Sequence, residues 1–119
     1  MNEKGSSTVE LALLVPLIIL LLAMVVEVAL AARLQIEVVG AAREGARVAA
    51  TSPDPAAALA AATAALGERG SEARVAVQRP HVIGAPAKVT VSLIHRVGIP
   101  LLSGISVPLS ATAVMRVER

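Results

Sequence analysis

The sequence predicts an α+β chain. A long N-terminal transmembrane helix extends into an amphipathic helix, followed by a short second helix and a small three-stranded antiparallel sheet. Three observations predict this. Leu11 to Val26 carries no charge and Val28 to Ala32 is apolar again, so Glu27 is the single charge between Glu10 and Arg33. Beyond Val26 the apolar spacing stays helical until the breaker cluster Thr51-Ser52-Pro53-Asp54-Pro55. After Ala73 the period changes to two.

Residues 1 to 7 are short and polar. A helix is expected to begin near Ser7 or Thr8, because hydroxyl side chains cap helices and Glu10 adds a favourable charge in the first turn. The apolar run that follows is roughly 20 residues, enough to cross a bilayer. Pro16 is a candidate kink. With no stop signal before Thr51, the helix runs from about residue 8 to about residue 50, roughly 60 Å at the standard rise, and only its first half fits in lipid. Its second half is amphipathic: Ala31, Leu34, Val38, Ala41, Gly45 and Val48 form one stripe, which extended backwards reaches Glu27. Arg33, Glu37, Arg43, Glu44 and Arg47 lie mostly off the stripe, with Arg33 and Glu37 spaced to pair. Small residues at Ala41 and Gly45 permit close approach by a neighbouring backbone.

Asp54-Pro55 reads as an N-cap and first helical residue. The second helix covers Ala56 to Leu66, with Leu59 and Leu66 as its larger apolar groups, and ends at Gly67 and Gly70. Three strands follow: Ala73, Val75 and Val77; then Val89, Val91 and Leu93; then Leu109, Ala111, Ala113, Met115 and Val117, each set alternating with polar residues or basic ones. The chain divides into residues 1–5, 6–50 for the helix, and 51–119 for a small α+β domain. The latter holds roughly 70 residues, near the size at which one core is only marginally stable alone, so it is expected to lean on the helix or on neighbouring subunits.

Composition narrows the function. The chain has no Cys, which excludes disulfides and thiolate metal sites. It has no basic run and no aromatic residue, so neither a nucleic-acid patch nor a stacking platform is present. His81 and His95 are the only candidates for general-base work, and neither stands in a catalytic motif; no phosphate loop, nucleophile elbow or paired metal-binding His occurs. No enzyme, cofactor, metal or small-molecule substrate is expected. His81 reads as a loop residue and His95 as a solvated or partly packed group at a strand end.

Two carboxylates border or interrupt the apolar run, where an acid is costly without a partner. Glu10 reads as a helix-start charge. Glu27 reads either as a boundary residue reaching water or as a buried contact with another membrane subunit. The connection Ile99 to Ile105 is unusually apolar for a loop, and is either core beneath the sheet or an exposed docking surface.

The segment from Gly5 to Ala50 closely resembles the TadE-like family, pilin-like membrane proteins of bacterial tight-adherence (Flp pilus) systems. The matching residues are the polar leader ending in Gly5, Thr8-Val9-Glu10, Pro16 in the span, Glu27 near its end, and above all AAREGAR, Ala41 to Arg47. The Pro- and Leu-rich loop and the closing strand ending in Met115-Arg116-Val117 also look like the family. Leu11 and Val28 stand where members often carry an aromatic. The resemblance implies a minor pilin or pseudopilin whose leader, residues 1–5, is removed by a prepilin peptidase between Gly5 and Ser6. Glu10 is then the pilin-type acid, suited to pair with the amino terminus of a neighbouring subunit. It further implies a single-pass inner-membrane protein with a cytoplasmic N-terminus and an extracytoplasmic C-terminal domain. Its partners are the lipid bilayer, other pilin-like subunits and the pilus assembly machinery, with Glu27, Ala41, Arg43, Glu44, Gly45 and Arg47 as contact residues. Counting Lys and Arg alone favours the opposite orientation, since Arg33, Arg43 and Arg47 follow the span.

Two other readings compete. One is a secreted soluble domain with an ordinary signal peptide cut near Ala31, at Ala29-Leu30-Ala31. Against it stand both acids and the helical stripe that crosses the cut. The other is a single-span anchor that binds another membrane protein through Glu27 outside any pilus.

Overall fold

The computed structural model describes residues 3–118. Its elements are α1 (Glu3–Thr51), α2 (Pro55–Ala65), a 3₁₀ helix (Gly67–Glu72), β1 (Arg74–Gln78), β2 (Pro86–Arg96), a 3₁₀ turn (Pro100–Leu102) and β3 (Ser106–Arg116). Helix α1 alone sets the shape, 83 Å along its longest axis and 22 Å across. Its first half stands free: no residue of the most apolar 18-residue window is buried against the rest of the chain. A helix this long and apolar fits a single-pass membrane protein.

The helix begins earlier than expected, at Glu3 instead of near Ser7 or Thr8. Ser7 Oγ donates to the Glu3 carbonyl at 3.1 Å and Thr8 Oγ1 to the Lys4 carbonyl at 2.9 Å. Both hydroxyls therefore bond back one turn within the helix and leave no capping role to fill. The helix continues through Pro16, whose missing N–H leaves the Ala12 carbonyl without its intrahelical donor. At the far end, the orphan carbonyls of the last turn are satisfied from the domain: Arg79 Nε donates to the Ala49 carbonyl at 2.7 Å and the Glu118 amide to the Ala50 carbonyl at 2.8 Å.

Helix α2 starts as the sequence indicates. Asp54 is its N-cap, accepting from the Ala56 amide at 2.9 Å, and Pro55 occupies the first turn. Gly67, at φ +60°, provides the left-handed residue just after the helix, and the chain goes directly into the 3₁₀ segment. The buried face of α2 is Ala58 and Ala62, continued by Leu66. Leu59 points outward instead, because the packing against α1 is too close for anything larger than Ala.

The sheet has the order β1-β2-β3 and is antiparallel throughout. Its inward-facing residues register in rows, Val75–Val91–Ala111 and Val77–Val89–Ala113, with Leu93 opposite Leu109. β2 and β3 lie along α1, and β1 reaches α2. The other face carries Lys88, Thr90, Ser110 and Thr112, with the Thr90 and Thr112 hydroxyls 3.0 Å apart. The core is wholly aliphatic: Leu34, Val38 and a series of alanines from α1 meet Ala58, Ala62 and Leu66, capped by Ala87, Val89, Val91, Leu93 and Val117. The second half of α1 is thus one wall of this core.

Candidate functional site

β2 alternates inward at Val89, Val91 and Leu93, and the next residue of that parity is His95. Its ring is thereby aimed at α1, where the facing residue is Glu27. His95 Nε2 donates to Glu27 Oε2 at 3.1 Å, and the Gly98 amide donates to Glu27 Oε1 at 2.8 Å. Both side chains are only 16% exposed. Each carboxylate oxygen therefore has a donor, which is what an acid removed from water requires. Gly98 is needed for closeness: a Cβ there would lie 2.9 Å from Glu27 Oε1. The sequence left two options for Glu27, water or another subunit; within this chain its contacts are His95 and Gly98.

The clamp opens onto an apolar cleft of about 240 Å³ between α1 and the loop after β2, lined by Met24, Val28, Ala31, Ile99, Leu102 and Val107. The loop divides between the two roles foreseen for it. Ile99 is buried, while Leu101 and Ile105 project outward. Its backbone is tied internally: Val97 amide to Ile105 carbonyl at 3.1 Å, Leu102 amide to Ile99 carbonyl and Ile105 amide to Leu102 carbonyl, both at 2.9 Å.

The motif Ala41 to Arg47 splits by face. Ala41, Ala42, Gly45 and Ala46 are buried. A Cβ on Gly45 would meet Val89 Cγ1 at 2.9 Å and the Ala62 Cβ at 3.0 Å. The close neighbour for which Ala41 and Gly45 make room is the protein's own β2 and α2. Within one chain, the small-residue stripe at these two positions packs into the intramolecular core. Arg43 and Arg47 are exposed and Glu44 half-exposed on the opposite side. Arg47 holds Glu44 with two of its guanidinium nitrogens, Nε at 3.0 Å from Oε2 and Nη2 on Oε1. That bond keeps the Glu44 carboxyl below the usual carboxylate range and raises Arg47. Arg33 pairs with Glu37 at 3.5 Å, as its spacing indicates, and Arg69 from the 3₁₀ segment adds a second cation at 3.8 Å.

At the other end, Gly5, Ser6 and Glu10 lie in the exposed first turns of α1. Ser6 Oγ reaches Glu10 Oε1 at 3.5 Å, so the residue after Gly5 and the acid share a helix face. His81 sits in the exposed β1–β2 loop. No cluster of three or more His, Cys, Asp or Glu suited to a metal occurs among the described residues. The contacts of His95 and Gly98 with Glu27 were not anticipated by the sequence reading; the inward parity of His95 on β2 was the available signal.

In comparison with known proteins, the family model described as TadE-like protein matches residues 5–47, which run from Gly5 through the AAREGAR motif. No curated protein and no solved structure matches the chain.

Proposed function

We propose, for a chain whose residues 5–47 are TadE-like, a non-enzymatic role as a minor pilin or pseudopilin of a tight-adherence (Flp) pilus system. In this reading a prepilin peptidase cuts between Gly5 and Ser6. The mature chain is held in the inner membrane by the first half of α1, with its N-terminus cytoplasmic and residues 51–119 outside. Glu10 meets the amino terminus of a neighbouring subunit. Arg43, Glu44 and Arg47, exposed on the helix face turned away from the core, meet the other pilin-like subunits or the assembly machinery.

One observation carries this reading over the secreted-domain alternative: Glu27, inside the apolar segment, is bonded to His95 and Gly98 of the domain. A signal-peptidase cut near Ala31 would remove Glu27 and leave an inward-facing imidazole and a loop amide without their acceptor. The apolar segment is tied near its end to the folded domain through Glu27, which favours its retention in the mature protein.

The test is the mass of the mature N-terminus after expression in a host carrying a prepilin peptidase. A start at Ser6 is expected. A start at Ala32 would mean a secreted domain and end the pilin reading, and an uncut chain would leave a plain single-span anchor.

A further inference from the structure

We propose that the apolar loop between β2 and β3, residues 97–105, is inserted into the bilayer that holds α1, with Leu101 and Ile105 facing lipid. This rests on the membrane-anchored reading of α1 and extends it to a second point of contact. The occupant of the loop's outer surface is thus the leaflet nearest the domain.

Depth is the first argument. If hydrocarbon begins at Leu11, Glu27 lies about 24 Å farther along the helix, still inside a core about 30 Å thick. The Gly98 amide and His95 are bonded to that residue, so the loop's first residues are held at the same level. Leu102 and Ile105 border a cleft shared with Met24, one turn deeper. A loop fixed to these positions cannot stand clear of the membrane while α1 crosses it.

Chemistry is the second argument. No charge occurs between Arg96 and Arg116, so the loop itself carries no charge to oppose burial in an apolar phase, and Arg96 at its base marks the polar limit. Leu101 is 86% exposed and Ile105 49%, an unusual display for a loop unless something apolar covers it. Ile105 borders the same cleft as Met24 and Val28 on α1, and both of those residues are themselves exposed. The 3₁₀ turn and the Val97–Ile105 bond satisfy much of the loop backbone internally, which lipid demands and water does not. The clamp adds one further bond: the Gly98 amide donates to a carboxylate that itself needs donors at that depth.

The chain has no cysteine, so single-cysteine variants can be labelled cleanly. The full chain is reconstituted in vesicles of phosphatidylcholine and phosphatidylglycerol, with an environment-sensitive fluorophore at Leu101→Cys, Leu17→Cys or Val82→Cys. Quenching by spin-labelled lipids is compared with quenching by aqueous iodide. We expect the Leu101 label to be quenched several-fold more by lipid carrying its spin label high on the acyl chain than by iodide, with Val82 showing the reverse. If Leu101 behaves like Val82 while Leu17 is quenched by lipid, the loop proposal fails and the membrane anchor stands. If Leu17 is also open to iodide, the membrane-anchored reading itself fails, and the proposal with it. If the Leu101 label is shielded from both quenchers, a protein surface such as a second copy covers the loop, and the lipid assignment is overturned. Leu101 is so exposed that its substitution leaves the fold intact, and Ile105→Cys gives an independent second reading.

Discussion

Gly45 separates a core built within one chain from an interface between chains. Replacing it with Leu adds a Cβ that would lie 2.9 Å from Val89 Cγ1, 3.0 Å from Ala62 Cβ and 3.4 Å from the Ala58 carbonyl, before its remaining carbons are placed. Helix propensity opposes this, since leaving Gly gains up to about 1 kcal/mol. Overpacking a tight core costs about 1–3 kcal/mol, and here all three obstacles sit on a second helix and a central strand that must both move. A net loss of about 2 kcal/mol is expected, roughly 30-fold in the open population of the domain. With no aromatic residue to report tertiary structure, the assay is amide hydrogen exchange in detergent micelles, read at Val89 and Val91 on β2. Protection there should fall about 30-fold in Gly45→Leu, while exchange in the span stays unchanged. Val89→Ala removes the nearest obstacle, so its effect should be less than additive with Gly45→Leu, by about 0.5–3 kcal/mol. Unchanged protection on β2, with loss only of association between subunits, would refute the intramolecular packing and restore the intermolecular reading of the stripe.

The remaining expectations concern single contacts. Asp54→Ala removes the acceptor of the Ala56 amide and should destabilise α2 by about 1 kcal/mol, seen as faster exchange of the first-turn amides. His95→Ala takes a donor from a nearly buried carboxylate and should cost about 1.5–3 kcal/mol in loop docking, with exchange of the Gly98 amide accelerating in step. An unchanged Gly98 amide would mean that the loop is held by apolar contact alone. Glu44 is held below its ordinary range by Arg47, so that pair supports the helix above the unfolded carboxyl's pKa and loses its effect as pH falls through the folded value. In Arg47→Ala the Glu44 carboxyl midpoint, followed by its carbon chemical shift, should move upward.

The periodic parts of this fold were legible because each reports a local cause. The stripe through Leu34 and Val38, the Asp54-Pro55 start and the alternating runs of β2 and β3 all appear where their spacing places them. The identity of the surface that covers the stripe was not legible, because a small-residue seam looks the same whether α2 or another subunit fills it. Helix α2 shows the same limit. Leu59 had the apolar bulk of a core residue, yet Ala58 and Ala62 face α1, since the separation of the two helices decides which face fits. Glu27 and His95 are 68 residues apart, and no local pattern joins them. Their pairing depends on the length of β2 carrying its inward parity as far as residue 95.

The continuity of α1 has a mechanical consequence for any assembly the protein enters. The same helix gives eight buried residues, from Leu34 to Ala50, to the core and runs uninterrupted into the apolar segment. The core of the part after Thr51 is closed by that wall, so this part is not a separate unit on a flexible tether. A second fastening, Glu27 to His95 and Gly98, lies one and a half turns before Arg33 and resists rotation of the sheet about the helix axis. The ridge of Arg43, Glu44 and Arg47 is therefore fixed in azimuth relative to the span. Any neighbour that grips the span in the membrane meets that ridge at a defined angle, and a neighbour that turns the ridge must also turn the helix in lipid.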